Sequence, residues 1–398
     1  MKFTIHQKEL KQLVEKVTTV INKNAALEAL KQVHFKVEPC KLTLWATDLE
    51  QFVIVQTSEI TNITDTNAEL FQWNFTMHID DVKVLMKLSG FITLEQLNVY
   101  NIQVQSGRKK VILPAGAETK GTVIPTVTED AILTVKENWL LETVTGMVNF
   151  TAVDDTTPIL NVFNFNTKEN RVEALDNYKI ATRTLKNQKV HSVQKNPFKT
   201  VRLHNKCVPV FKKLLDKKTE NAVDITRNDK YVKVSGNDFT YIVRVVEGEF
   251  FNINSFMQQE NEYSITLDRE NLKEIMKYDI DLSKADKTEN EYKNVYPVAF
   301  YHKDGKLYTY METAKYVSCD EIGTTANTMN SGFCVAFNPF YFMDIFNTID
   351  TETVHCQGRY SSVNGWIVTG QEWQFLILPV RLKTKFAEEM ERYFNNLH

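Results

Sequence analysis

Few residues in this 398-residue chain have the type and spacing that chemistry needs. The five cysteines (Cys40, Cys207, Cys319, Cys334, Cys356) are odd in number and never form C-x-x-C. Neither a disulfide framework nor a zinc knuckle is indicated, and a reducing compartment fits. Of eight histidines, only His204 near Cys207 and His355 beside Cys356 approach a second soft ligand. A tetrahedral zinc site needs three or four converging ligands, so no metal is expected. The carboxylate pairs Asp80-Asp81, Asp154-Asp155 and Glu388-Glu389 are sequence neighbours, whose side chains diverge on a helix or strand and cannot share a proton. Asp80 and Asp81 stand where a helix should start and read as capping residues that complement its dipole. Glycine is scarce, 13 residues in all, and no phosphate-cradling or nucleophile-elbow motif occurs. No catalytic constellation and no cofactor site emerge. The chain reads as a non-enzyme.

Charge says more. The formal balance is −3, yet residues 183–218 hold eleven Lys/Arg against the single acid Asp216. A basic tract on an acidic chain is the footprint of a polyanion partner held by counterion release. The aromatic residues Phe198 and Phe211 are too sparse there for base stacking on single strands, so contact with a duplex backbone is favoured.

The elements that must position these residues repeat. A strand-like run leading into an amphipathic helical stretch recurs six times, beginning at Phe3, Phe75, Ile132, Thr200, Ser264 and Phe333. Alternate copies lie about 130 residues apart, so the repeating unit is a pair of modules and the chain holds three pairs. Alternating runs such as Lys41–Thr47, Tyr231–Ser235 and Lys306–Tyr310 supply further strands. Each module has one sheet face and one helix stripe to bury, which two modules solve by packing with helices on one side and sheets on the other. The class is α+β, with boundaries in the polar stretches near Thr126–Ala131 and Met257–Tyr263. No signal-peptide pattern opens the chain and no apolar run of membrane-spanning length appears, so a cytoplasmic protein without membrane contact is expected.

Four strings in fixed order carry a family resemblance. Lys41-Leu42-Thr43-Leu44-Trp45-Ala46-Thr47-Asp48-Leu49-Glu50 resembles the first-domain signature of the bacterial DNA polymerase III beta subunit, the sliding clamp. Leu160-Asn161 followed by Glu173-Ala174-Leu175-Asp176-Asn177-Tyr178-Lys179-Ile180-Ala181 resembles that family's A-T-D-G-[HY]-R-L-A segment. Phe337-Asn338-Pro339-Phe340-Tyr341 resembles its F-N-x-x-Y, and Leu378-Pro379-Val380-Arg381-Leu382 its M-P-[MV]-R-L. Glu247-Gly248-Glu249-Phe250 also matches the E-G-x-F that closes the family's second domain.

The resemblance implies three tandem clamp-fold domains, at 1–127, 128–258 and 259–382, with a C-terminal helical extension at 383–398. It implies half of a closed homodimeric ring, helices inside and sheets outside, encircling duplex DNA as a processivity factor. The replicative DNA polymerase and the clamp loader would dock through short linear peptides. Carried over by motif, the peptide pocket comprises Leu160, Leu175, Asn177, Tyr178, Lys179, Ile180, Phe256, Asn338, Tyr341, Val363, Gly365, Ile377, Leu378, Pro379, Val380 and Arg381. DNA contacts are expected from Lys23, Lys195, Lys199, Arg202, Lys206, Lys212 and Lys213. Ring closure is expected by edge strands, with Val111 and Leu113 facing Ile280 and Leu282 of the other subunit. The family's Gly and Arg are Asn177 and Lys179 here, and Phe251 replaces its Pro, which points to an altered peptide preference. Phe386, Met390 and Phe394 give the extension an apolar stripe, expected to pack along the third domain and bear on access to the pocket. The runner-up reading is a clamp-fold hub or regulator of a replication machine that does not load on DNA.

Overall fold

The computed structural model describes residues 1–64, 72–117, 122–154, 156–191, 198, 200–288, 296–361 and 363–396. Every one of the six strand-to-helix passages is present. Strand Lys2–His6 runs into α1 (Gln7–Val17), Trp73–His78 into α2 (Ile79–Leu85), Leu133–Lys136 into α3 (Glu137–Met147) and Thr200–His204 into α4 (Cys207–Leu214). A single turn, α5 (Asn254–Met257), precedes Tyr263–Asp268, which enters α6 (Arg269–Ala285). Cys334–Phe337 enters α7 (Pro339–Phe346).

The passages are sharp because the residue between strand and helix caps the helix. The His6 and His78 rings accept from the backbone N–H of Lys8 and Asp80, each at 3.2 Å, in the first two copies. Asp268 and Asn338 do the same for α6 and α7, accepting from Asn271 and Phe340. Asp80 is therefore not the cap of α2. It lies in the first turn, where it pairs with Lys83 at 2.8 Å and complements the dipole.

The chain forms two compact units, residues 1–142 with 187–246 and residues 143–186 with 247–398. In the first, an antiparallel sheet runs Lys189–Val190, Leu133–Lys136, Ala222–Arg227, Tyr231–Ser235, Phe239–Arg244, Gln51–Thr57, Lys41–Thr47, Gln32–Glu38, Trp73–His78. It joins segments far apart in sequence, since Phe239 pairs with Val55 and Val243 with Gln51. α1 packs against α4 beneath it, burying Leu10, Leu13, Val14 and Val17. A second sheet ends at Lys109–Pro114, which pairs only with Asn101–Ser106.

The second unit repeats the plan. Strands Val162–Asn166, Arg171–Leu175 and Lys179–Thr184 continue into Trp373–Ile377, Trp366–Gly370, Thr353–Gly358 and Tyr263–Asp268. Lys179 pairs with Ile377 and Arg183 with Trp373 across the seam. The last turn of α3 reaches this seam, where a Cβ added to Gly146 would stand 2.7 Å from the Thr348 methyl. Glycine is what permits that approach. A smaller sheet, ordered Val317–Ile322, Lys306–Glu312, Val298–Lys303, Cys334–Phe337, carries α8 (Thr384–Asn395) on one face. Phe386, Met390 and Phe394, the stripe read from sequence, pack there on Ala299, Tyr310 and Ala336. Three such side chains contribute about 2 kcal/mol each before ordering costs. The Lys303 ammonium donates to the Phe394 carbonyl at 2.6 Å and closes the C-terminal end.

Candidate partner-peptide site and nucleic-acid interface

The second unit gathers the motif residues around one turn. Strand Arg171–Leu175 ends at Asp176, whose carboxylate accepts from the backbone N–H of Tyr178 (2.7 Å) and Lys179 (2.8 Å), so Asp-Asn-Tyr folds into a tight Asx turn. Burial pushes the Asp176 carboxyl above its ordinary pKa. Asn177 and Tyr178 are left at the surface, Tyr178 58% exposed.

Lys179 does not join them there. It is 8% exposed, and its ammonium donates to the Asn149 carbonyl and the Asp344 carboxylate, both at 2.6 Å. The Phe150 and Tyr341 rings lie 5.1 and 5.2 Å away. The cation assigned to the pocket is thus a staple between the end of α3 and α7. Through it α7 is held so that the Tyr341 ring stands 6.5 Å from that of Tyr178, and burial raises the Tyr341 hydroxyl to about 12.

Beside this pair lies an apolar floor. Ile180, Ile253, Met257, Ile367 and Leu376 pack together, with half-buried Leu175, Phe250 and Leu378 at the margin. Ile377 is fully buried in the sheet, and a Cβ on Gly365 would meet its carbonyl at 2.5 Å, so that position tolerates only glycine. Beyond it the backbone N–H of Leu378 donates to the Tyr178 carbonyl and that of Val380 to Ala336. These bonds lay Leu378, Pro379 and Val380 down half-buried, with Arg381 exposed. Phe256 on α5 is 55% exposed and Val363 is exposed too, whereas Leu160 is buried and Asn338 spends its side chain on the α7 cap. Leu160, Lys179, Ile180, Gly365 and Ile377 are buried. Tyr178, Leu175, Phe256, Tyr341, Val363 and Leu378 are the accessible apolar members.

Sequence reasoning missed Ile253 and Met257, whose four-residue spacing could have marked a helical face. It also missed Asp344 and Asn149, which no motif flags.

The expected DNA residues divide as well. Lys206, Lys212 and Lys213 are exposed, the last two on α4. Lys23 is exposed; a side-chain contact with Lys83, together with that group's like charge, lowers its pKa, while Lys83 is itself paired with Asp80. Arg202 is half-buried and donates to the Val246 carbonyl. Lys195 and Lys199 lie outside the described residues. Part of the basic tract is structural: Arg183 is buried, donates to Thr143 at 2.9 Å, pairs with Glu372 and covers the Trp373 ring.

Val111 and Leu113 do lie on the open edge strand Lys109–Pro114. Ile280 and Leu282 do not lie on a strand. Both are on α6, where Ile280 belongs to the buried face and Leu282, two residues on, is half-buried. Val317–Ile322 is one edge of the small sheet, and Cys334–Phe337 is the other. Among the described residues, no group of three or more His, Cys, Asp or Glu could hold a metal, and no helix is long and apolar enough to cross a membrane.

Two open sheets built from strand-to-helix modules, with a turn-centred apolar site on one of them, are the architecture of a sliding clamp. Residues 134–252 match the family described as DNA polymerase III beta subunit, central domain. The whole chain takes the fold of solved beta clamps. It superposes on the beta subunit of Streptococcus pyogenes DNA polymerase with a TM-score of 0.83 at 15% identity. For the Bacillus subtilis sliding clamp the values are 0.82 and 16%, and for the Thermotoga maritima beta subunit 0.78 and 20%. Each match covers 96% of this chain and 100% of the other. No curated protein matches it. Together the central-domain match and the chain-length fold fit a divergent member of the bacterial beta sliding-clamp family.

Proposed function

We propose that this chain is a DNA sliding clamp: two copies close a ring around duplex DNA and tether a replicative polymerase and its loader through peptides seated near Tyr178. Its three domains are those bounded near 127 and 258. The observation that carries the reading is the sixfold strand-to-helix repeat, joined across two seams into a fold that matches beta clamps over 96% of the chain. A clamp does no chemistry of its own, needs no cofactor, and works in the cytoplasm where DNA is copied. Sliding calls for shallow phosphate contacts without base readout, which exposed lysines such as Lys212, Lys213 and Lys23 can supply.

One observation favours the second reading, a hub that does not load: α3 and α7 contribute no Lys or Arg, only Glu137, Glu142 and Asp344. Loading onto nicked circular DNA by a purified loader separates the two. A threaded clamp stays on the circle and leaves when it is linearised. A hub is retained on neither.

A further inference from the structure

We propose that α8 belongs to the subunit seam: Ile112 on the edge strand of one copy seats against Tyr393, Val317 and Cys319 at the sheet edge of the other. The inference rests on the dimer reading above and adds to it the contribution of the C-terminal helix.

Two of the sheet-edge strands, one in each unit, matter here. Lys109–Pro114 pairs with one neighbour, and so does Val317–Ile322. An open edge with apolar side chains is a template for another strand. On the first, side chains alternate. Leu113 is buried and Val111 half-buried toward their own sheet, while Lys110 and Ile112 point the other way, Ile112 61% exposed.

The second edge alternates in the complementary manner. Ser318 and Asp320 lie on the α6 side, where both bear on the buried Asp279. Cys319 lies on the α8 side, in the apolar cluster beneath that helix, and period two puts Val317 and Glu321 on its face. α8 reaches this margin. Tyr393 lies beside Cys319, its ring 5.4 Å from Tyr310 and 5.6 Å from Phe394, and it remains 37% exposed. The result is an aromatic shelf along the edge, extended by exposed Val317.

The occupant that fits is a second copy of this chain. The first edge carries Arg108, Lys109 and Lys110, none of them in an ion pair among the described residues, and the second carries Asp320 and Glu321, the latter shared with Lys306 at 2.8 Å. If Val111 and Leu113 face the α6 side with Ile280 and Leu282, strand alternation sends Ile112 to the α8 side and Lys110 toward Glu321. A lone exposed isoleucine then gains a wall that the helix supplies.

Sedimentation equilibrium on the full chain tests this with Ile112→Ala, Tyr393→Ala and the double variant. The parent should have twice the 46.1 kDa chain mass. Each single substitution should raise the dimer dissociation constant by about tenfold or more, and the double should cost clearly less than the product of the two. Tyr393→Phe, which keeps the ring and the packing of α8, should retain the parent constant. A dimeric parent whose constant is unmoved by Tyr393→Ala, or whose two effects multiply, overturns the inference and leaves the dimer standing. A parent that is monomeric throughout overturns the dimer and this inference with it.

Discussion

Helices α4 and α7 obey one building rule and present opposite chemistry. α4 ends in Lys212 and Lys213 and carries no acid, while α1 beside it mixes Lys8, Lys11 and Lys16 with Glu9 and Glu15. α7 carries no cation. Its one charge, Asp344, is cancelled by Lys179, leaving Phe340 and Tyr341 as its surface. Exposed lysines on flexible stems suit a partner that must be held and still move, because each contact is shallow. A cation withdrawn into a buried pair leaves shape and apolar area to do the recognising. The scaffold thus sets exposed lysines on one helix apart from a lysine buried against another by deciding where each is paired.

The strongest way to break that contrast is at Lys179. Lys179→Ala leaves the Asp344 carboxylate and the Asn149 carbonyl without their donor and strips a cation from two rings. The expected loss is about 3 kcal/mol of unfolding free energy, read as a lowered urea midpoint. Lys179→Arg, which restores the family's residue type, should recover most of it. If Lys179→Ala leaves the midpoint alone and alters only peptide binding, the lysine is a ligand-facing residue and the contrast is wrong.

Asp279 on α6 sharpens it from the other side. Burial raises its carboxyl from 3.8 to about 6, with Ser318 opposing and Asp320 reinforcing the rise. Among the described residues its oxygens find no close hydrogen-bond partner. A folded pKa above the unfolded one means that full stability is present below pH 4 and is lost as pH rises through 6. Asp279→Asn should therefore stabilise the protein at pH 8 by on the order of 2–3 kcal/mol, with the gain vanishing near pH 4. Thermal melts at the two pH values read the difference.

Much of this was legible before any coordinates. The six passages from strand to helix were marked by a change of hydrophobic period from two to 3.6, which is local information. The α8 stripe was equally plain, since residues four apart share a helix face. What sequence hid was pairing over long separations. Nothing near Lys179 announces Asp344, 165 residues away, so a buried staple looked like a pocket cation. Arg183 was counted in a nucleic-acid footprint for the same reason, since its partners Thr143 and Glu372 lie far along the chain. Ile280 and Leu282, set at the seam by resemblance, lie on α6 and not on an edge strand, which no local pattern near them announced. Charge tells where a side chain can go, and only the fold tells whether it is already paired.

At the polyanion surface the expected effects are smaller and salt-dependent. Lys212→Gln with Lys213→Gln should leave the unfolding midpoint unchanged, because both side chains are exposed and, among the described residues, the only ion pair they make is Lys213 with Glu15 at 3.9 Å. Duplex affinity should fall, and the slope of its logarithm against that of salt concentration should shrink by about 0.9 for each lysine that met a phosphate. An unchanged slope would remove α4 from the interface.

The smallest effect is expected at Phe256, and its size is the point. The ring is half exposed on a single-turn helix whose buried anchors are Ile253 and Met257, so Phe256→Ala should change the unfolding free energy by less than about 0.5 kcal/mol. A partner peptide covering that ring and Leu378 would nonetheless lose about 1 kcal/mol, a several-fold weaker affinity measurable by calorimetry with a polymerase-derived peptide. Tyr178→Ala should behave the same way, and Lys179→Ala should not, because its cost falls on folding. Exposed residues that cost nothing to fold and something to bind, beside a buried one that does the reverse, are what distinguish a partner site from an ordinary seam between sheets. If Phe256→Ala lowers stability by as much as it lowers affinity, the apolar cluster is core and the partner site lies elsewhere.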